Sequence, residues 1–456
     1  MSAKGKETKL IGYLPNDVPP IGQMILLGFQ HVLTMFPATV LVALLVGFDV
    51  GAVLTVSGLA TVTALILSRV LGGKFIPLYY GSSFSYIAAT MAVTGATGDT
   101  FGQYAGTEAV RLAQVGIVAT GVINVIVGFV IRWIGKATLD KVLPPVITGC
   151  VATVIGIALA FAALDMASVH WGVALITLLV TILFSVYLQG KGFAGLLPVL
   201  FGAIVGYLVS IPFGLVDLSP VAAEAWLRFP RLTLPAFGDS RAWGAVGTLA
   251  VIAVATIPES TAHLYQISLY VDRLAERMGQ KKYNLSQLIG LNLILDGLGD
   301  AINGMFGGVA GTNYGENNSL MVITRNYSGP ALIAAGVLAI LLGFVGKLAG
   351  LVSTVPLAVT GGLAIYLFGV IGMQGVALMM AEKVNLYDPR QLAVGAAILV
   401  IGIGGHIGYG GNLPIPILTG IFPDGIPAIA LAAVVGIFLN AIFLVFKGPE
   451  VLAATD

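Results

Sequence analysis

The run GGVAGTNYGENNSLMVITRN, residues 307–326, is flanked on both sides by apolar sequence. The stretches 284–307 before it and 329–350 after it are each long enough to cross hydrocarbon, which takes about 20 apolar residues. Inside the run, Tyr314, Gly315, Glu316, Asn317, Asn318 and Ser319 follow one another without an apolar side chain to face lipid. Irregular backbone at membrane depth survives only where it is buried in protein or lines a cavity. The run therefore reads as a broken membrane segment beside a polar site.

Composition supports that reading. Charged residues are 9% of the 456-residue chain, hydrophobic residues 57%, and mean hydropathy is +0.98, whereas soluble domains are about 25% charged. There is too little polar side chain to clothe a particle in water, which excludes a cytosolic enzyme. A net charge of +1 leaves no face for a polyanion, so nucleic acid is not an expected partner. Cys150 is the only cysteine, so no intramolecular disulfide or cysteine metal cluster can form. Glycine contributes 60 residues, roughly twice average usage, as expected where membrane helices approach closely. The N-terminal stretch is basic, but no small-residue cleavage pattern follows it, so no signal peptide is expected.

Twelve full-length spans are expected at about 21–47, 50–71, 108–132, 143–164, 168–188, 194–215, 242–270, 284–307, 329–350, 353–380, 390–408 and 425–446. Two interrupted segments, 77–95 and 310–326, bring the total to fourteen. The order repeats. Gly121-Val122 and Gly128-Phe129-Val130 recur as Gly336-Val337 and Gly343-Phe344-Val345, and Pro144, Thr148 and Gly149 recur as Pro356, Thr360 and Gly361. The interrupted segments match as well, through Tyr80-Gly81 and Tyr314-Gly315. Seven spans per copy is odd, so the second copy enters the membrane upside down, the 7+7 inverted repeat of secondary transporters. With a cytoplasmic N-terminus, 17 of the 22 Lys and Arg residues fall inside and five (Arg111, Arg228, Arg231, Arg241 and Lys347) fall outside. This bias predicts a multi-pass cell-membrane protein with both termini cytoplasmic.

An ionisable group inside a span is costly and a functional candidate by default. Four acids qualify: Glu259, Asp296, Asp300 and Glu316. Glu259 follows Pro258 in IPESTAHLYQ, and His263 lies one helical turn on, on the same face, where a carboxylate and an imidazole can share or exchange a proton. A metal site lacks supporting ligands. Glu316 lies in the second break, whose partner in the repeat holds Gly81, Ser82, Ser83 and Phe84. Two breaks in equivalent places point to one site between the halves. Asp296 and Asp300, in LILDGLGDAINGMFGG, either line an ion path or cap a helix start ahead of the break. His31, in the first span beside the Pro37-Ala38 kink, fits a histidine bonded across the bundle, and His170 and His406 fall near span ends.

Four stretches carry a resemblance: FQHVLTMFPATVLV at 29–42, YGSSFSYI at 80–87, Pro258-Glu259 with His263, and YGENNSLMVITR at 314–325. Together they resemble the nucleobase–ascorbate transporter family, closest to its bacterial uracil permease branch. The resemblance implies an all-α polytopic fold with short strands in spans 3 and 10. It also implies a core domain of spans 1–4 (residues 1–142) and 8–11 (242–351). A gate domain would comprise spans 5–7 (143–241) and 12–14 (352–456). By the same resemblance Glu259 holds the base, Glu316 contacts it or supports its strand, and the amides of Phe84 and Gly315 meet a carbonyl oxygen. His263 stands where the uracil branch has histidine, Ala38 and Tyr314 look like site walls beside Ser83, and Asn317 is a supporting residue. Ser319 stands where the family signature has glycine, and Phe368 where uracil permeases have a gate tyrosine. A homodimer through the gate domains is implied, as are protons in place of a cofactor.

The chemistry agrees with that class. Uracil presents two N–H donors and two carbonyl acceptors on a flat ring, so its site needs acceptors, donors and an apolar clamp. Glu259 and Glu316 supply acceptors, freed amides supply donors, and Phe84 and Tyr314 can cover the ring. A carboxylate removed from water prefers its neutral form, and an imidazole can receive the proton. The expected function is proton-coupled nucleobase import, with uracil ahead of xanthine or purines. Sulphate and bicarbonate exchangers share the fold, but an anion site wants a fixed positive charge, and the breaks carry no Lys or Arg before Arg325. An intramembrane enzyme would need a nucleophile with its base, or a metal constellation, and the spans show neither.

Overall fold

The structure is a computed structural model that describes residues 12–97, 100–189, 191, 195, 197–418 and 425–446. Lys4, Lys6, Lys9 and Lys447, assigned above to the inner side, lie outside the described residues. Helices α1 (Ile21–Val46) and α2 (Val50–Gly72) are joined by a tight turn. Gly47, in the left-handed region at φ 73°, ends α1, and Asp49 caps α2 by accepting from the Ala52 amide at 2.9 Å. Strand β1 (Tyr80–Ser82) and helix α3 (Ile87–Thr94) replace a third continuous span. There follow α4 (Thr107–Ile134), α5 (Lys136–Val142), α6 (Pro145–Ala158), α7 (Ala160–Ser168), α8 (Trp171–Tyr187), α9 (Pro198–Ser210) and α10 (Ser219–Ala223). The second half runs α11 (Ala242–Leu249), α12 (Ala253–Arg277), α13 (Ile289–Phe306), β2 (Gly311–Asn313) and α14 (Gly315–Thr324). It continues through α15 (Gly329–Gly343), α16 (Gly346–Ser353), α17 (Leu357–Ala381), α18 (Pro389–Leu399) and α19 (Gly405–Tyr409). It closes with β3 (Asn412–Leu413), β4 (Ile426–Pro427) and α20 (Ala428–Val445).

Among the described residues eight helical segments are long and apolar enough to cross a membrane, and four shorter apolar helices accompany them. The chain is a helical, polytopic membrane protein. Two expected boundaries need correction, and one pairing was not expected. The span expected at 329–350 stops at Gly343, because Val345 turns extended and bridges to Leu227. The span expected at 242–270 is interrupted by a tight 3-10 turn over 250–252 and then runs on to Arg277. The paired strands β3 and β4, at the junction of the last two spans, had no counterpart in the sequence reading.

Glycine permits close helix crossings. A Cβ at Gly297 of α13 would fall on the Gly121 carbonyl of α4, and two turns along the same crossing a Cβ at Gly128 would lie 2.8 Å from the Gly290 carbonyl. The α15–α2 crossing is built alike: a Cβ at Gly336 would lie 2.9 Å from the Gly58 carbonyl, and one at Gly343 would fall on that of Gly51. Backbone meets backbone there, which only a missing side chain permits. Gly297→Leu should therefore sharply lower the monodisperse folded fraction in size-exclusion chromatography, since overpacking a filled crossing costs about 1–3 kcal/mol or more. Gly369→Leu, where a Cβ would meet nothing within 4 Å, should leave that fraction unchanged.

Buried apolar side chains form three clusters. The largest runs through α1–α4 and α12–α15 and takes in side chains of α7, α11, α16, α17 and α20, a second joins α6, α18 and α20, and a third lies between α8 and α17. The five basic residues expected outside gather at one end. Arg228 pairs with Asp49 at 2.6 Å and Glu224 at 2.9 Å, Arg231 approaches Asp49 at 3.9 Å, and Arg241 pairs with Glu108 at 2.5 Å. Arg111 donates to the Leu234 carbonyl and Lys347 to that of Val221. At the opposite end residues 13–17 strap the α14–α15 junction. Tyr13 pairs with Arg325 and Tyr327 through backbone bonds, and Ser328 donates to the Asp17 carbonyl.

Candidate functional site

The two interrupted segments meet. β1 and β2 pair antiparallel, with Tyr80 opposite Asn313, Gly81 opposite Thr312 and Ser82 opposite Gly311. Each strand is too short to stand alone, so its surroundings hold it. Ser57 and Thr61 of α2 donate to the Tyr80 carbonyl at 2.9 and 3.0 Å. Asp300 of α13 accepts the Gly311 amide at 2.7 Å and the Asn124 amide at 3.2 Å. Asp300 thus holds the first amide of strand β2, where the sequence reading had offered an ion path or the cap of a helix start. Asp296 is also buried, with the Ser260 hydroxyl beside its carboxyl group.

α14 begins where β2 ends, so its first-turn amides, including Gly315, have no acceptor within the helix. They face α12, whose Glu259 and His263 are half-buried. Ser85, just after Phe84, places its hydroxyl 3.5 Å from the Glu259 carboxylate. Glu259 and Glu316 lie within electrostatic reach of each other. Glu316, in the first turn of α14, is exposed. No hydrogen bond joins Glu259 to His263 among the described residues. The His263 ring instead donates to the Asn313 carbonyl, while its Nδ1 has no partner. A ring nitrogen that donates to a carbonyl carries the hydrogen, so in the neutral ring Nδ1 is a bare acceptor.

Phe84, half-buried, meets Phe368 of α17 edge to face at a centroid distance of 5.8 Å. This contact brings the first interrupted segment against the later half of the chain. Tyr314 is placed differently from the ring cover expected of it. It stacks on Tyr79 at 6.2 Å, covers Gly81, and its hydroxyl meets Thr39 at 2.8 Å. With only 4% of its surface accessible, it packs the strands from behind. Ala38 and Ser83 are likewise buried. His31 bonds across the bundle, its Nδ1 lying 3.1 Å from the Asn317 amide. Ser319 turns its hydroxyl back to the Gly315 carbonyl at 3.1 Å. His170 caps α8, accepting from the Val173 amide at 3.1 Å, and His406 sits near the end of its span.

Ser260 is a hub that the sequence reading missed. It accepts from Asn292 at 2.9 Å and from Asn313 at 2.8 Å, and Asn292 in turn accepts from the Tyr80 hydroxyl at 3.1 Å. One hydroxyl thus ties α12 to α13 and both strands directly behind Glu259. Its position next to Glu259 was the available signal. Among the described residues no three His, Cys, Asp or Glu side chains converge to hold a metal. A cavity lies elsewhere, between the ends of α6, α18 and α20.

Residues 22–409 match Xan_ur_permease, the permease family. The chain belongs to this family, that of the nucleobase–ascorbate transporters. Relatives include uracil permease of Bacillus caldolyticus, 37% identical over 93% of each chain. Uracil permease of Escherichia coli K12 is 33% identical, over 94% of this chain and 93% of its own. Among solved structures, the transmembrane domain of the cyanobacterial bicarbonate transporter BicA superposes with a TM-score of 0.54 at 15% identity. That match covers 94% of this chain and all of the other. Murine Slc26a9, an anion transporter in an inward-facing state, gives 0.63 at 15% identity, over 96% of this chain and 69% of its own. At such identities the superposition establishes a shared fold, and membership in the permease family makes this chain a multi-pass membrane permease.

Proposed function

We propose that this permease imports a nucleobase, uracil first among them, together with a proton. The observation that carries the reading is the placement of two carboxylates, Glu259 on α12 and Glu316 in the first turn of α14, within electrostatic reach of each other beside the paired strands. Each would accept an N–H of the base. The uncommitted first-turn amides of α14 would donate to a carbonyl oxygen, and Phe84 would cover the ring. The uracil permeases among its relatives support the substrate class.

The proton would be carried at the Glu259 carboxyl, with the open Nδ1 of His263 as a nearby acceptor. Its charge neutralised, the site would hold the neutral base while one domain moves against the other. The matched glycine crossings, Gly121 on Gly297 and Gly336 on Gly58, support a seven-plus-seven inverted repeat, because the repeat would exchange one crossing for the other. Anion exchange is disfavoured because the site presents carboxylates and no basic side chain.

Uptake of labelled uracil, xanthine and hypoxanthine into proteoliposomes tests the reading. Uracil should accumulate under an inward proton gradient and stop accumulating when the gradient is collapsed. Failure of all three bases to enter would end the proposal, and selective uptake of xanthine would move the chain to the purine branch.

A further inference from the structure

The cavity at the ends of α6, α18 and α20, about 270 Å³, is formed by the first turn of α6, the loop between α17 and α18, and the last turns of α20. It is close to the size at which small-molecule sites begin, about 300 Å³. It lies away from Glu259 and Glu316, so it stands whether or not the transport reading holds. All three elements sit at the end assigned to the cytoplasmic side by charge. The loop exposes Leu386 and Tyr387, and the nearby helix end exposes Leu444, Val445 and Phe446. Apolar and aromatic side chains exposed at a helix terminus mark the level of the lipid head groups.

The lining combines an apolar wall, Val146, Val394, Phe443 and Leu444, with charges of both signs. Arg390 is held by Asp388, whose oxygen accepts from the Arg390 amide at 3.0 Å and from Nε at 3.3 Å, so those two groups largely cancel. Lys383 and Glu382 have no side-chain partner among the described residues. The first turn of α6 opens on the same cavity without a side-chain cap; Pro144 and Pro145 carry no N–H and the Ile147 and Thr148 amides bond the Pro144 carbonyl, which leaves the Val146 amide as the donor of that turn. One uncommitted cation, one uncommitted carboxylate and the outer edge of a guanidinium complement a dipolar ligand better than a purely anionic one.

We infer that this cavity binds the head group of a zwitterionic aminophospholipid. Its phosphate would lie toward Lys383, Arg390 and the start of α6, its primary ammonium toward Glu382, and its acyl chains along Phe443 and Leu444. Basic pockets between membrane helices on the cytoplasmic side are a known form of lipid site; the carboxylate selects the amine here.

The test is native mass spectrometry and thermal unfolding of the delipidated full-length protein with phosphatidylethanolamine, phosphatidylglycerol or phosphatidylcholine added. Phosphatidylethanolamine should be retained and should raise the unfolding temperature, and the other two should do so more weakly. Lys383→Ala should weaken its retention about fivefold, as expected for one basic residue near a head group. Glu382→Gln should erase the preference over phosphatidylglycerol while leaving phosphate binding in place. Equal retention of all three lipids by the wild type, or retention unchanged in both variants, would overturn the inference. The wild-type comparison decides the matter even if a variant fails to fold.

Discussion

Glu259→Gln will bind substrate and fail to concentrate it. The glutamine oxygen can accept an N–H as the neutral, protonated carboxyl would, and exchanging one neutral hydrogen bond for another changes affinity by less than about tenfold. The loss in accumulation is larger, because an amide has no proton to carry and the coupled step disappears. Uptake driven by a proton gradient should drop to the level of empty liposomes. Exchange of internal for external base should persist at raised substrate concentration, because exchange needs no net proton movement. If the variant still concentrated base under the gradient, Glu259 would not be the coupling group. Glu316 or His263 Nδ1 would then take its place.

The second large effect concerns the fold behind the site. Asp300→Ala removes the acceptor of both the Gly311 amide and the Asn124 amide. Leaving a buried donor unmatched costs about 1–3 kcal/mol, and two such donors are a large part of the roughly 5–15 kcal/mol by which proteins are stable. The expected result is a large drop in folded yield and unfolding temperature. Asp300→Asn separates structure from transport. Its oxygen can still accept from Gly311, and Asn124, whose own side-chain oxygen is unpartnered, can flip to accept the new amide. That variant should fold nearly as well as wild type and transport normally. Normal folding with abolished transport would show that Asp300 belongs to an ion path and that its bond to the Gly311 amide is incidental.

Much of this architecture was legible in the chain itself. The breaks at 77–95 and 310–326 stood out because polar runs are conspicuous in sequence that is otherwise apolar. The structure puts strands and short helices at both. The glycines that announced a repeat, Gly121, Gly128, Gly336 and Gly343, occupy close helix crossings, since both facts express the same need for absent side chains. Other features lay outside the reach of pattern. Ser260 is one hydroxyl among many, and nothing in its neighbours shows that two asparagine amides converge on it. Tyr314 read as a ring free to cover a ligand, while the fold spends it on Tyr79 and Thr39. The i, i+4 spacing of Glu259 and His263 put both on one face but could not foresee that the imidazole would turn to the Asn313 carbonyl.

The sequence by itself determined the solvent, the succession of apolar and broken segments, and the few ionisable groups admitted among them. Those follow from the cost of placing polar atoms in hydrocarbon, which acts on each segment separately. Only the tertiary structure decided which of those groups meet. Partners such as Asp300 with Gly311, Ser260 with Asn313 and Phe84 with Phe368 come from different segments. Each buried donor finds its acceptor according to how the helices cross, and no local pattern records a crossing.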